Sequence, residues 1–141
     1  MDFSQINWLA VLVASIAGFV VGGVWFGPKT FYPIWWKLNG KEPTTDPGGT
    51  SVAVLFGSTY LATIAQAATV AIVIEVGSLA DPSFGAWQGL AAGALLGAGI
   101  AAASSLSHRL FARHGFGVWI IEVGQDIVSL AVMGLIIGAW L

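Results

Sequence analysis

Glu122, Gln125, Asp126 and Ser129 stand at i, i+3, i+4 and i+7 in an otherwise apolar run from Phe116 to Leu141. On a helix that spacing puts the four side chains on one face. Counting about 1.5 Å per residue from Phe116, Glu122 lies about 9 Å and Asp126 about 15 Å along such a helix, the latter near the midplane of a bilayer. An ionised carboxylate at that depth costs about 2.5 to 3.5 kcal/mol on insertion scales, so the face must meet protein, water or ligand. In one reading Asp126 exchanges a proton or binds a cation, and Glu122 passes it toward the cytoplasm. In the other both carboxyl groups are structural, with Glu122 reaching Arg113 or His114 and Asp126 hydrogen-bonding to Gln66, Thr63, Ser104 or another subunit. The structural reading is the more ordinary one, because buried polar groups need partners whether or not anything moves past them. Glu75, at the end of an earlier run, is expected to reach outer-side water.

Other chemistries lack their residues. The chain has no cysteine, which removes disulfides, thiolate zinc sites, iron–sulfur clusters and covalent haem attachment. His108 and His114 are six residues apart and share no helical face, and two histidines do not complete a coordination sphere, so no metal and no cofactor is expected. There is no lysine inside the apolar runs, no Gly-rich phosphate loop and no nucleophile beside a base at a recognised spacing. An enzyme is therefore not expected. The formal charge of -2 is too small to suggest a nucleic-acid partner.

The elements that must position the acidic face are set by a strongly apolar composition. Of the 141 residues, 57% are hydrophobic and 9% charged, against about 25% charged in ordinary soluble domains. Mean hydropathy is +0.85. Four runs, 6–26, 51–76, 87–106 and 116–141, each meet the requirement of about 20 mostly apolar residues for a transmembrane helix. They are apolar all round, unlike the alternating segments of a membrane β-barrel. The first run lacks a basic leading region and carries Asp2 instead, so it is expected to be retained, not cleaved as a signal. The fold expected over 1–141 is a single all-α domain, an integral membrane four-helix bundle. Its longest connection, 27–50, holds a stretch from Glu42 to Thr50 whose prolines and glycines cannot extend a helix.

Charge fixes the expected orientation. Lys29, Lys37 and Lys41 lie in the first loop and Arg109 and Arg113 in the third, while the second loop and both ends carry neither Lys nor Arg. The positive-inside rule then places loops one and three in the cytoplasm and both termini on the outer, periplasmic side. Trp8, Trp87 and Trp140 are expected at the outer interface, and Trp25, Trp35, Trp36 and Trp119 at the inner one, as two aromatic belts. With Pro28 and Lys37, Trp25, Trp35, Trp36, Arg109 and Arg113 mark the cytoplasmic interface. Arg109 and Arg113, four apart, would share a helical face suited to lipid phosphate or to the acidic residues of helix four.

Small residues form the remaining pattern. Gly89, Gly93 and Gly97 recur at intervals of four, Ala101 and Ser105 continue the stripe, and Gly18 with Gly22 and Gly134 with Gly138 repeat it on helices one and four. A stripe without side-chain bulk lets another helix approach until backbones touch. The partner it meets, whether this chain, a second copy or another protein, is left open by the spacing.

Trp25-Phe26-Gly27-Pro28, the segment from Trp35 to Gly40, the opening run from Asn7 to Val13 and the closing run from Val132 to Trp140 resemble the family of small bacterial four-helix membrane proteins known as domain of unknown function 1761. The resemblance implies a multi-pass protein of the bacterial inner membrane and carries no assigned activity, so no functional residue is inherited from it. Members commonly show Gly-Lys where this chain has Tyr32 and Pro33, and often an aromatic residue where it has Gln125. Trp25, Pro28, Trp35 and Gly40 carry over as shape-setting positions. The expected role is that of an accessory or structural unit packing through its glycine faces against itself, as a homo-oligomer, or against subunits of a larger membrane complex. The alternative is transport of a small solute, proton or cation along the acidic face of helix four.

Overall fold

The computed structural model describes residues 3–43 and 49–141. Asp2 and the centre of the expected turn-rich stretch, 44–48, lie outside the described residues. Among the described residues the protein is all-α, and four of its helices are long and apolar enough to cross a membrane. After a 3-10 turn, Phe3–Gln5, helix α1 runs Trp8–Trp25, a short α2 Tyr32–Leu38, α3 Val52–Ala80, α4 Ala86–Phe111 and α5 Gly115–Gly138.

Local chemistry sets the ends. Asn7 caps α1, its side-chain oxygen accepting from the Ala10 amide at 3.1 Å, which satisfies one of the unpaired donors of a first turn. At the other end the Thr30 hydroxyl lies 2.5 Å from the Val24 carbonyl, 2.8 Å from that of Trp25 and 3.1 Å from that of Gly27. Its one proton is shared among carbonyls that each also accept a backbone N–H, Val24 from Gly27, Trp25 from Phe31 and Gly27 from Thr30 itself. The loop that follows contains a helix where only a Trp-rich segment was expected. Pro33 sits in the first turn of α2, where a missing N–H costs nothing, and Gly40 turns the chain away at φ +72°.

Two spans are longer than expected from hydropathy. Helix α3 continues past Val76 to Ala80, because nothing breaks it before Asp81-Pro82; the proline forces Asp81 to an extended φ of -135°. Glu75 therefore sits inside the helix, half-buried in a notch with Gln5, Asn7, Ser78 and Trp140, and not at a solvated helix end. Helix α4 continues past Leu106 to Phe111 through a polar turn that suits a membrane surface. It ends in a left-handed turn, with Arg113 at φ 60° and Gly115 at φ 77°. Arg113 is thus off the helix and does not share a face with Arg109.

Helix α5 is central. Its Met133, Ile137 and Leu130 pack with Ala10 and Ala14 of α1 and with Ala67, Val70, Ala71 and Ile74 of α3. The larger apolar side chains point outward, Leu9, Val20, Leu61, Leu79, Leu95 and Ile100 among them. That inverts a soluble protein, and it fits a solvent as apolar as leucine, in which close packing and not water exclusion holds helices together.

The α4–α5 crossing takes this furthest. A Cβ added at Gly89 would strike the Gly134 carbonyl, one at Gly93 the Leu130 carbonyl, and one at Gly134 the Gly89 carbonyl. At Gly138 it would come within 2.6 Å of the Gly85 carbonyl, and at Gly97 within 2.7 Å of Ile127 Cα. The stripe on α4 meets α5 of the same chain. Beyond Gly97 the face is re-phased by a π-helical turn, Gly97–Ala102, and Ala101 is only partly buried against the core. The buried residue after Gly97 is Ala102, at 7% exposure, five positions on.

Candidate functional site

The π turn decides which residue of lower α4 faces α5. A π turn accommodates one extra residue, which on a helix of 3.6 residues per turn rotates everything beyond it back by about 100°. On an unbroken α-helix, His108 would lie eleven residues and just over three full turns beyond Gly97, on the glycine face. With the extra residue absorbed, Arg109 takes that place. The turn is also paid in hydrogen bonds, since the Ala102 carbonyl accepts from the Trp119 indole at 3.2 Å and from the Ser105 hydroxyl at 3.1 Å.

Arg109 consequently meets Glu122. Its Nε lies 2.6 Å from Glu122 Oε2, and the Trp35 indole N–H donates to Glu122 Oε1 at 3.0 Å. One carboxylate joins α2, α4 and α5. The partners expected for Glu122, Arg113 and His114, are not the ones it meets.

Beside this group lies a recess of about 560 Å³, lined by Phe26, Tyr32, Trp35, Leu55, Thr59, Ser105, Arg109, Glu122, Gln125 and Asp126. All these elements meet at the end of the bundle that carries loops one and three. Asp126 is half-buried. Its carboxylate forms no hydrogen bond or ion pair with a described residue, and since no buried side-chain oxygen lacks a partner there, it opens on the recess. None of Thr63, Gln66 and Ser104, the partners expected for it, bonds to Asp126; the Thr63 hydroxyl turns back to the Thr59 carbonyl and that of Ser104 to the Ala101 carbonyl.

The recess has a closed floor. Gln125 Nε2 donates to Ser129 Oγ at 2.8 Å, and Ser129 Oγ donates to the Gly18 carbonyl at 3.3 Å. Ser129 is 3% exposed, and past it comes the packed layer of Met133, Val70 and Ile74. Of the four-residue acidic face, Glu122, Gln125 and Asp126 line the recess and Ser129 lies beneath it. Gly22 packs beside the Gln125 amide at ordinary contact distance, and Gly18 lies under the end of Met133.

The tryptophans at the same end all donate to protein. Besides Trp35 and Trp119, Trp25 Nε1 reaches the Ile121 carbonyl at 2.9 Å and Trp36 Nε1 the Glu42 carbonyl at 2.8 Å. Trp25, Trp35 and Trp119 brace one helix to another and Trp36 ties α2 to the loop that follows it, whereas Trp8, Trp87 and Trp140 at the other end are exposed. Lys41 lies 4.1 Å from the centre of the Trp36 ring. Pro28 and Lys37 line a separate outer hollow with Tyr32 and Trp36. Arg113, His108 and His114 are exposed, and among the described residues no three His, Asp or Glu side chains gather for a metal.

Sequence spacing brought the acidic face together and offered Arg109, with Arg113, to the acidic residues of this helix; of the two only Arg109 meets Glu122, and the Trp35 donor was missed. The trace of the π turn in the sequence is the run from Gly97 to Ala103, glycine and alanine but for Ile100. A model of the family described as "protein of unknown function (DUF1761)" matches residues 9–138. No curated protein and no solved structure matches the chain significantly.

Proposed function

We propose that this chain, which belongs to the DUF1761 family of proteins of unknown function, is a small membrane carrier, not an enzyme, that takes a cationic solute or a proton at Asp126. One observation carries the reading: a half-buried carboxylate that bonds to no side chain or backbone group among the described residues opens on a recess at the loop-one end of the bundle. Such a group is expensive in a membrane and is kept where it binds or relays charge. The recess lies within the roughly 300 to 1,000 Å³ of small-molecule sites, and its closed floor makes it accessible from one side, as alternating access requires of any single state.

In this reading the protein is a multi-pass component of the bacterial inner membrane, with loops one and three in the cytoplasm and both termini outside. The recess then opens to the cytoplasm. The test is charge movement into proteoliposomes by the purified protein, with Asp126→Asn as the comparison. That substitution keeps size and hydrogen bonding but removes the charge, so transport should be abolished; equal transport by a normally folded Asp126→Asn protein rules the reading out.

A second reading, an accessory subunit of a homo-oligomer or larger complex, draws on a different set of glycines. The Gly89, Gly93, Gly97, Gly134 and Gly138 faces are occupied within the chain, but Gly23, Gly57 and Gly99 are exposed, with no atom within 4 Å of an added Cβ. These are positions where a second membrane protein could approach closely. Native mass spectrometry of gently extracted protein distinguishes the readings, since a subunit is recovered with its partners in fixed ratio.

A further inference from the structure

We infer that the guest of the recess is a small organic ammonium ion, held by Asp126 and by the aromatic wall of Phe26, Tyr32 and Trp35. This rests on the carrier reading and names its substrate class. The first ground is charge. Among the described residues Arg109 is the one cationic side chain lining the recess and is bound to Glu122 at 2.6 Å, so an ionised Asp126 gives the lining one negative charge in excess, which one positive charge in the guest would match.

The second ground is the wall. Phe26 meets Trp35 edge to face with ring centres 5.5 Å apart, and Tyr32 lies 6.0 Å from Trp35 at a tilt. Trp35 is itself fixed by its N–H on Glu122. Aromatic faces attract cations, tryptophan most strongly, and an aromatic wall with a carboxylate is the arrangement by which alkylammonium groups are recognised.

The third ground is the poverty of metal ligands. No three His, Asp or Glu side chains gather for a metal among the described residues. A volume of about 560 Å³ leaves room for an organic body as well as its charged head.

The test is calorimetric binding to the full-length protein in nanodiscs, with tetramethylammonium and propylammonium chloride as probes and sodium chloride at equal ionic strength as the control. Saturable binding of at least one organic probe, unmoved by sodium, is expected. Asp126→Asn should weaken it about tenfold or more, and Phe26→Leu and Tyr32→Leu about fivefold each. Binding of sodium or protons that needs Asp126, with neither organic probe binding or competing, overturns this inference and leaves the carrier reading standing. If no cation of either kind gives an Asp126-dependent signal, both fall. Should Asp126→Asn fail to fold, competition between the organic probes and sodium on the unmodified protein decides the point.

Discussion

The two halves of α5 treat the same neighbour in opposite ways. From Ile127 to Gly138 the helix lies against α4 with backbone on backbone, so that a single methyl group at Gly89, Gly93 or Gly134 has nowhere to go. From Gly115 to Asp126 the two helices are held apart by long side chains: Arg109 bridges to Glu122, Trp119 reaches the Ala102 carbonyl, and a recess remains between them and α1, α2 and α3. The change falls beside the π turn at Gly97–Ala102. Glycine thus builds a seam that fixes the half nearer the chain termini as one unit, and the seam gives the polar half a rigid base from which to hold a cavity open.

Filling the seam should cost most. Gly93→Ala drives a methyl group into the Leu130 carbonyl, with backbone on both sides and nothing able to move away, and should destabilise by about 3 kcal/mol or more in thermal unfolding. Gly18→Ala, which meets only the flexible end of Met133, should cost about 1 kcal/mol. Gly99→Ala, with open space around it, should be neutral or gain up to about 1 kcal/mol from helix propensity. Equal losses at Gly93 and Gly99 would break the contrast between the seam and the lipid face.

Effects in the polar half should be smaller, because its groups are partly exposed. Arg109→Met leaves Glu122 without its cation; since the Arg109 side chain is 40% exposed, the loss should be about 1 to 2 kcal/mol and not that of a fully buried pair. The double variant Arg109→Met with Glu122→Gln should recover part of it in a double-mutant cycle, which strict additivity would contradict. Ser129→Ala removes the bond to the Gly18 carbonyl and releases Gln125, for about 0.6 to 1 kcal/mol in the same assay.

The smallest effect lies in the turn beyond α3. Asp81 accepts from the Ser83 hydroxyl at 2.7 Å and from the Ser83 amide at 2.9 Å, and these bonds hold its carboxyl below the ordinary carboxylate range. A depressed folded value means that the contribution is present above the unfolded pKa of about 3.9 and is lost as pH falls through the lower folded value. Ser83→Ala should move the titration of Asp81 upward, seen by NMR of its carboxyl carbon; an unchanged titration would deny the hydroxyl its role.

Much of this was legible in the sequence because bilayer rules are coarse. Four apolar runs give four spanning-length helices, and the spacing of Glu122, Gln125 and Asp126 places all three at the recess. The rest depended on terms that hydropathy does not contain. The ends of α3 and α4 follow breakers, Asp81-Pro82 and the turn at Arg113 and Gly115, more than apolarity. The register of lower α4 follows a π turn, which puts Ala102 where Ala101 was expected and Arg109 where His108 would stand. The four tryptophans of the loop-one end read as a lipid belt by position, yet their N–H groups find protein carbonyls and a carboxylate.

The contrast between seam and polar half requires a recess that admits water from the loop-one side as far as Asp126 and stops at Ser129. Because the chain has no cysteine, single-cysteine variants at Thr59, Asp126, Ser129 and Met133 can be probed with a membrane-impermeant thiol reagent applied to each face of sealed vesicles. Labelling is expected at 59 and 126 from the face bearing loops one and three alone, and at neither 129 nor 133 from either face. Protection of 126 from both faces, or equal labelling of 126 and 133, would contradict that contrast.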